Sequence, residues 1–293
     1  MAGIKPVVAV IGGMLLLGSM LTWGGLLWQV ARRRGPSRWP AKAPPQPHMI
    51  SLMLTVFWTA TSLLSVALVS LEARPAPAPV PTPEVSSDSP SPASPDAPRK
   101  LTVGNVQMTC VSRAMLGAFI GVPLLLGARS SVVKLGLRRR KPWQQVWAGL
   151  QGYLFAIGPV TLVWYLMAPF RNPESQHPLL KLLAREPSPS VLLWIFLAAV
   201  AIAPAVEELQ YRVVLQSALR HRLPRGIAIV VSSIIFAMLH GWPDAVPLLP
   251  LALVLGTVFE KTRSYLSVVV LHVLFNATNI VLLWLSVTPQ PAG

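Results

Sequence analysis

The chain has 293 residues, 53% of them hydrophobic and only 12% charged, with a mean hydropathy of +0.56. A soluble domain keeps about a quarter of its residues charged, so an ordinary soluble fold is excluded. Lys and Arg outnumber Asp and Glu by 25 to 10, a formal charge of +15, but they lie in short clusters between apolar runs. There they orient helices in a bilayer and do not form a nucleic-acid surface. Cys110 is the one cysteine, which leaves no internal disulfide and no CxxC pair for a structural zinc.

A bilayer crossing needs about 17–25 apolar residues. Such runs are expected over 6–30, 49–71, 106–128, 145–168, 190–220, 226–241, 245–260 and 265–287. The fold class is therefore all-α, a polytopic transmembrane helix bundle of about eight spans. The first run is too long for a cleavable leader and is followed by Arg32, Arg33 and Arg34, so it is expected to be a retained span with its N-terminus outside. The run over 106–128 is the weakest, since Arg113 falls near one end and glycines interrupt it.

Between the second and third runs, Pro75 to Pro98 is dominated by Pro, Ala and Ser and shows no apolar periodicity. It buries too little to fold and is expected to be a disordered linker. The chain thus divides into a two-span segment over 1–71, the linker over 72–100, and a membrane-embedded helical domain over 101–293. The loops alternate in charge. Arg32 to Lys42, Arg138 to Lys141, Arg220 to Arg225, and Lys261 with Arg263 are basic, while Glu84, Asp88 and Asp96 mark the linker. The positive-inside rule puts the basic loops in the cytoplasm and both termini outside.

Ionisable groups inside a bilayer cost at least about 2.5 kcal/mol each, which makes them functional suspects. Three places in the C-terminal half carry them: Glu207-Glu208-Leu209-Gln210-Tyr211-Arg212, Phe236 to His240, and His272 to Asn276. Residues four apart share a helical face, so Glu208 stacks on Arg212 while Glu207 points elsewhere without an intrahelical partner. His272 and Asn276 share a face, as do Phe236 and His240, with Phe236 as pocket wall. Glu207 lies as far before Leu223 as His240 lies after Pro224, so the two arms of that hairpin lift both to one level. His272 joins them if the hairpin protrudes about 10 Å beyond the last loop. Pro204 is expected to free a carbonyl three to four residues earlier and kink its helix. Gly241 and Gly256 suit close helix contacts.

A carboxylate and two imidazoles around one wet pocket can activate water toward a carbonyl, and an amide such as Asn276 can donate to the oxyanion. The class this implies is peptide hydrolysis inside the membrane. The three motifs, each in its own apolar segment, resemble those of the CAAX-protease and bacteriocin-processing family, over about residues 130–287. The resemblance implies an intramembrane endopeptidase of the bacterial cytoplasmic membrane, acting near its cytoplasmic side on a peptide or protein substrate that is itself membrane-associated. It implies that Glu207 activates the water with His240 beside it, that His272 and Asn276 bind and polarise the carbonyl, and that Glu208 and Arg212 orient them. Members are often called metalloproteases. Glu207, His240 and His272 suit zinc, and a metal-free glutamate mechanism fits the same residues; both stay open at this point. Two rival classes use the same polar residues: a non-catalytic scaffold or bacteriocin-immunity protein that binds a partner in the cavity, and a proton-coupled transporter.

Overall fold

The computed structural model describes residues 4–32, 46–72, 101–126, 136, 141–171 and 178–287. The Pro-rich linker and the Arg138–Arg140 cluster fall outside them. Among the described residues the chain is helical without strands, in nine helices: α1 (Ile4–Arg32), α2 (Met49–Glu72), α3 (Val103–Leu126), α4 (Pro142–Leu166), α5 (Pro178–Arg185), α6 (189–219), α7 (Arg225–Met238), α8 (Ala245–Thr262) and α9 (Tyr265–Val287). Eight coincide with the expected runs. The ninth, α5, is a short element ahead of α6 that apolar run length does not reveal.

Six helices are long and apolar enough to cross a membrane, including α3; the apolar parts of α2, Met49–Leu64, and of α7 are shorter. Outward residues such as Met14, Met108, Leu126 and Trp143 are 69–82% exposed. That apolar exterior is costly in water and favourable against lipid. The protein is an integral membrane protein.

Helix α4 occupies the middle of the bundle, and small residues let its neighbours close on it. A Cβ on Gly149 would lie 2.6 Å from the Ser267 carbonyl oxygen, one on Gly152 2.6 Å from Leu271 Cδ1, and one on Gly158 2.6 Å from Ser19 Oγ. Backbones this close gain the dispersion contacts that drive association in lipid, where the hydrophobic effect contributes nothing. On the α1 side, Ser19 Oγ accepts from the Gly158 N–H at 2.9 Å and the Trp23 indole donates to the Phe155 carbonyl at 3.0 Å. The main apolar core around α4 holds Tyr153, Val213, Leu255, Leu271 and Phe275.

One end of the bundle gathers charge. Arg220 and Arg263 both donate to the buried Glu260, at 2.9 and 2.8 Å, and the Tyr265 N–H bonds the Gly136 carbonyl. A cavity of about 230 Å³ at this end is lined by Lys141, Gln145, Lys261 and Ser267 and shares no residue with the intramembrane polar groups. At the opposite end Arg171 pairs with Asp244. Gly241, expected at a helix contact, instead lies in the turn after α7 with φ 70°, a left-handed conformation that glycine adopts without steric cost.

Candidate active site

The site is built on α6, which is not a uniform α-helix. Two π-helical stretches, Leu197–Ile202 and Leu209–Gln216, flank one short α-helical stretch, Ala203–Glu208. Each π turn inserts a residue and rotates the remainder of the helix, a device concentrated at functional sites. Pro204 explains part of this. The Ala203 N–H bonds Ala198, five residues back, so the next donor in that register would be residue 204 to Ala199. Proline has no N–H to give. Asn276 Nδ2 fills the place, donating to the Ala199 carbonyl at 2.7 Å. The freed carbonyl is thus five residues before Pro204, not three to four, because the register there is π.

Asn276 therefore commits one amide hydrogen to holding α9 against α6, leaving one for other work. Interhelical hydrogen bonds in membranes contribute about 0.6 kcal/mol and at most about 1.7. Asn276→Ala is expected to lower stability by that amount, read as a small fall in melting temperature in detergent. A loss of several kcal/mol would show that this bond is not the main thing broken.

Glu207 and Glu208 are both buried, at 8% and 0% exposed, and they part company as helical geometry requires. Glu208 Oε2 accepts from Arg212 Nε at 3.3 Å, and Oε1 accepts from His272 Nδ1 at 2.9 Å. Holding Nδ1 aims His272 Nε2 at Glu207, whose Oε2 is 4.0 Å away. His240 contributes from the end of α7. Its Nδ1 is bonded to the Phe236 carbonyl at 3.0 Å, which leaves Nε2 for other partners, and it lies within electrostatic range of Glu207.

Phe236 is fully buried at the centre of this group. Its ring is 4.9 Å from His240, 5.7 Å from His272 and 5.6 Å from Tyr211, with the Arg212 guanidinium 5.3 Å from its centroid. Arg212 fits there because Gly256 makes room: a Cβ at 256 would sit 3.0 Å from Gln216 Oε1 and 3.4 Å from Arg212 Nη1. The three polar motifs thus come together from α6, α7 and α9.

Glu207 has no intrahelical partner, as its spacing requires, but it has one on another helix: Arg113 Nη1, from α3, donates to its Oε1 at 2.5 Å. Arg113 also stands well inside α3, which begins at Val103, and not near a span end. The inward residues of α3 are Val106, Cys110, Ile120 and Leu124. Arg113 and Gly117 continue their three-four spacing, the signature of a helix face turned to the bundle. Gly117 permits the approach, since a Cβ there would lie 2.8 Å from Val206 Cγ2. With Val206 against Gly117, Glu207 comes within reach of the residue one turn earlier on α3.

Among the described residues no three His, Cys, Asp or Glu side chains stand as a metal-holding group, so Glu207, His240 and His272 are not arranged as a ligand set. Glu207 already has a guanidinium on one oxygen.

Residues 189–278 match the family model described as type II CAAX prenyl endopeptidase Rce1-like. That stretch runs from the start of α6 to just past Asn276 and holds every motif residue, while Arg113 lies outside it; it is shorter than the 130–287 the motifs suggested. The match agrees with the motifs: this stretch of the chain is similar to the CAAX-protease family, whose type is an intramembrane peptidase. No curated protein and no solved structure is similar enough to add to it.

Proposed function

We propose that the protein is an intramembrane endopeptidase in which Glu207 takes a proton from water held between it and the two imidazoles. The observation that carries this is the chain Arg212–Glu208–His272–Glu207: a buried ion pair fixes one imidazole nitrogen so that the other faces a second carboxylate across 4.0 Å. That separation is too long for a direct hydrogen bond and is one that a single bridging water spans.

As the water oxygen bonds to the scissile carbonyl carbon, its proton passes to Glu207 Oε2. The carbonyl oxygen gains the charge, and protonated His272 donates Nε2–H to it while Glu208 balances the imidazolium. The remaining Asn276 amide hydrogen is available to the same oxygen. Glu207 then returns its proton to the leaving amine, which closes the balance at one water consumed and one peptide bond broken. His240, held through Nδ1, orients the water through Nε2. No step needs a metal. The basic end is cytoplasmic by the positive-inside rule. The 101–293 region is proposed as the catalytic domain, with 1–71 and the linker appended to it.

The test is a peptide-cleavage screen on the full chain reconstituted in liposomes, with products identified by mass. Discrete cleavage that needs Glu207 supports an endopeptidase. Partner binding that survives Glu207→Ala, with no product, supports the scaffold in its place.

A further inference from the structure

Arg113 belongs to none of the three motifs and lies outside the matched stretch 189–278, yet it touches the residue that the proposed reaction needs most. Its side chain is 33% exposed against 10% for Glu207, so it stands between the buried carboxylate and the surroundings. A guanidinium has five N–H donors in a planar fork. One, on Nη1, is given to Glu207 Oε1, which leaves the rest of the fork on the outward side. The other arginine of the site, Arg212, is fully buried against Glu208 and Phe236 and cannot meet a substrate.

With one N–H spent on Glu207 Oε1, the outward N–H groups of Arg113 are donors without an acceptor of their own among the described residues of the site. A carboxylate of the bound peptide matches them in both geometry and charge.

We propose that Arg113 is a specificity residue, binding a carboxylate of the peptide substrate close to the scissile bond while its Nη1 keeps Glu207 in place. The inference rests on the peptidase reading above. A peptide carries a carboxylate at its C-terminus or on an Asp or Glu side chain, and the chemistry recognised is the same.

The experiment compares a cleaved peptide found in the screen with its C-terminal amide, and with versions in which each acidic side chain is replaced by its amide. These are run on the reconstituted full chain as wild type, Arg113→Gln, Arg113→Lys and Glu207→Gln. For wild type, kcat/KM is expected to fall by about 10- to 150-fold when the recognised carboxylate is amidated, the range of a charged hydrogen bond, and mainly through KM. Whichever amidation does this identifies the source. In Arg113→Gln the acid-to-amide ratio is expected to collapse toward one, while Arg113→Lys keeps part of it by point charge. A wild type indifferent to every amidation overturns the proposal. So does an Arg113→Gln enzyme, folded by its melting curve, that loses kcat equally on acid and amide, since Arg113 would then only hold Glu207. Full activity in Glu207→Gln removes the peptidase reading itself, an outcome distinct from either.

Discussion

Glu207→Gln is expected to lower the cleavage rate by about 10²- to 10⁴-fold, the usual contribution of a positioned general base, while the protein still folds. Glutamine keeps the shape of the side chain and can still accept from Arg113 through its amide oxygen, but it cannot take a proton from water at neutral pH. The fold is expected to tolerate the change because the glutamine oxygen still accepts from Arg113, whose side chain is one-third exposed and not sealed in the core. The Glu208 network does not pass through Glu207 by any direct hydrogen bond, since His272 Nε2 is 4.0 Å from Glu207 Oε2. The measurement is turnover of a defined peptide in liposomes beside a melting curve of the same preparation. Unchanged turnover refutes Glu207 as base. Lost turnover with a large fall in melting temperature points to a structural acid.

The residues read most directly from the sequence are those whose partners lie one helical turn away. Glu208 and Arg212 pair as their spacing requires, and the divergence of Glu207 from Glu208 agrees with the same geometry. The helices themselves are legible because an apolar run of bilayer length has few other fates in a chain with so little charge. What depends on contacts between helices is less legible. Arg113 weakens the apolar run over 106–128 when that run is scored for hydropathy alone, whereas the three-four spacing of Val106, Cys110, Arg113, Gly117 and Ile120 shows it on an inward face. An inward cation needs an acid, and Glu207 is the acid without an intrahelical partner, so the pairing was within reach of the sequence. The π register of α6 was not. Nothing in Leu197–Ile202 distinguishes five-residue from four-residue hydrogen bonding, and it is the π register that sets which carbonyl Pro204 releases and why Asn276 is drawn to it.

A second large effect is expected from Arg212→Ala. Arg212 and Glu208 are both 0% exposed, and the arginine is the carboxylate's permanent cation; the other partner, His272, is charged only when protonated. Removing one member of a buried pair leaves an uncompensated charge and costs about 3–5 kcal/mol, far above the value of an exposed ion pair. The deletion also opens space beside Phe236, whose ring the guanidinium faces at 5.3 Å. Removing both charges is a different matter: Glu208→Gln with Arg212→Met keeps the volume and leaves no buried ion, and such replacements are often neutral or stabilising. The double variant is therefore expected to recover most of the stability that Arg212→Ala loses, by melting temperature in detergent. It is not expected to recover activity, because a glutamine at 208 no longer offers the charge that balances protonated His272 while the carbonyl oxygen becomes anionic. Stability and turnover separate in this comparison. Were the double variant to regain both, the Glu208–Arg212 pair would be packing alone, and His272 would owe its orientation to something other than the carboxylate at its Nδ1.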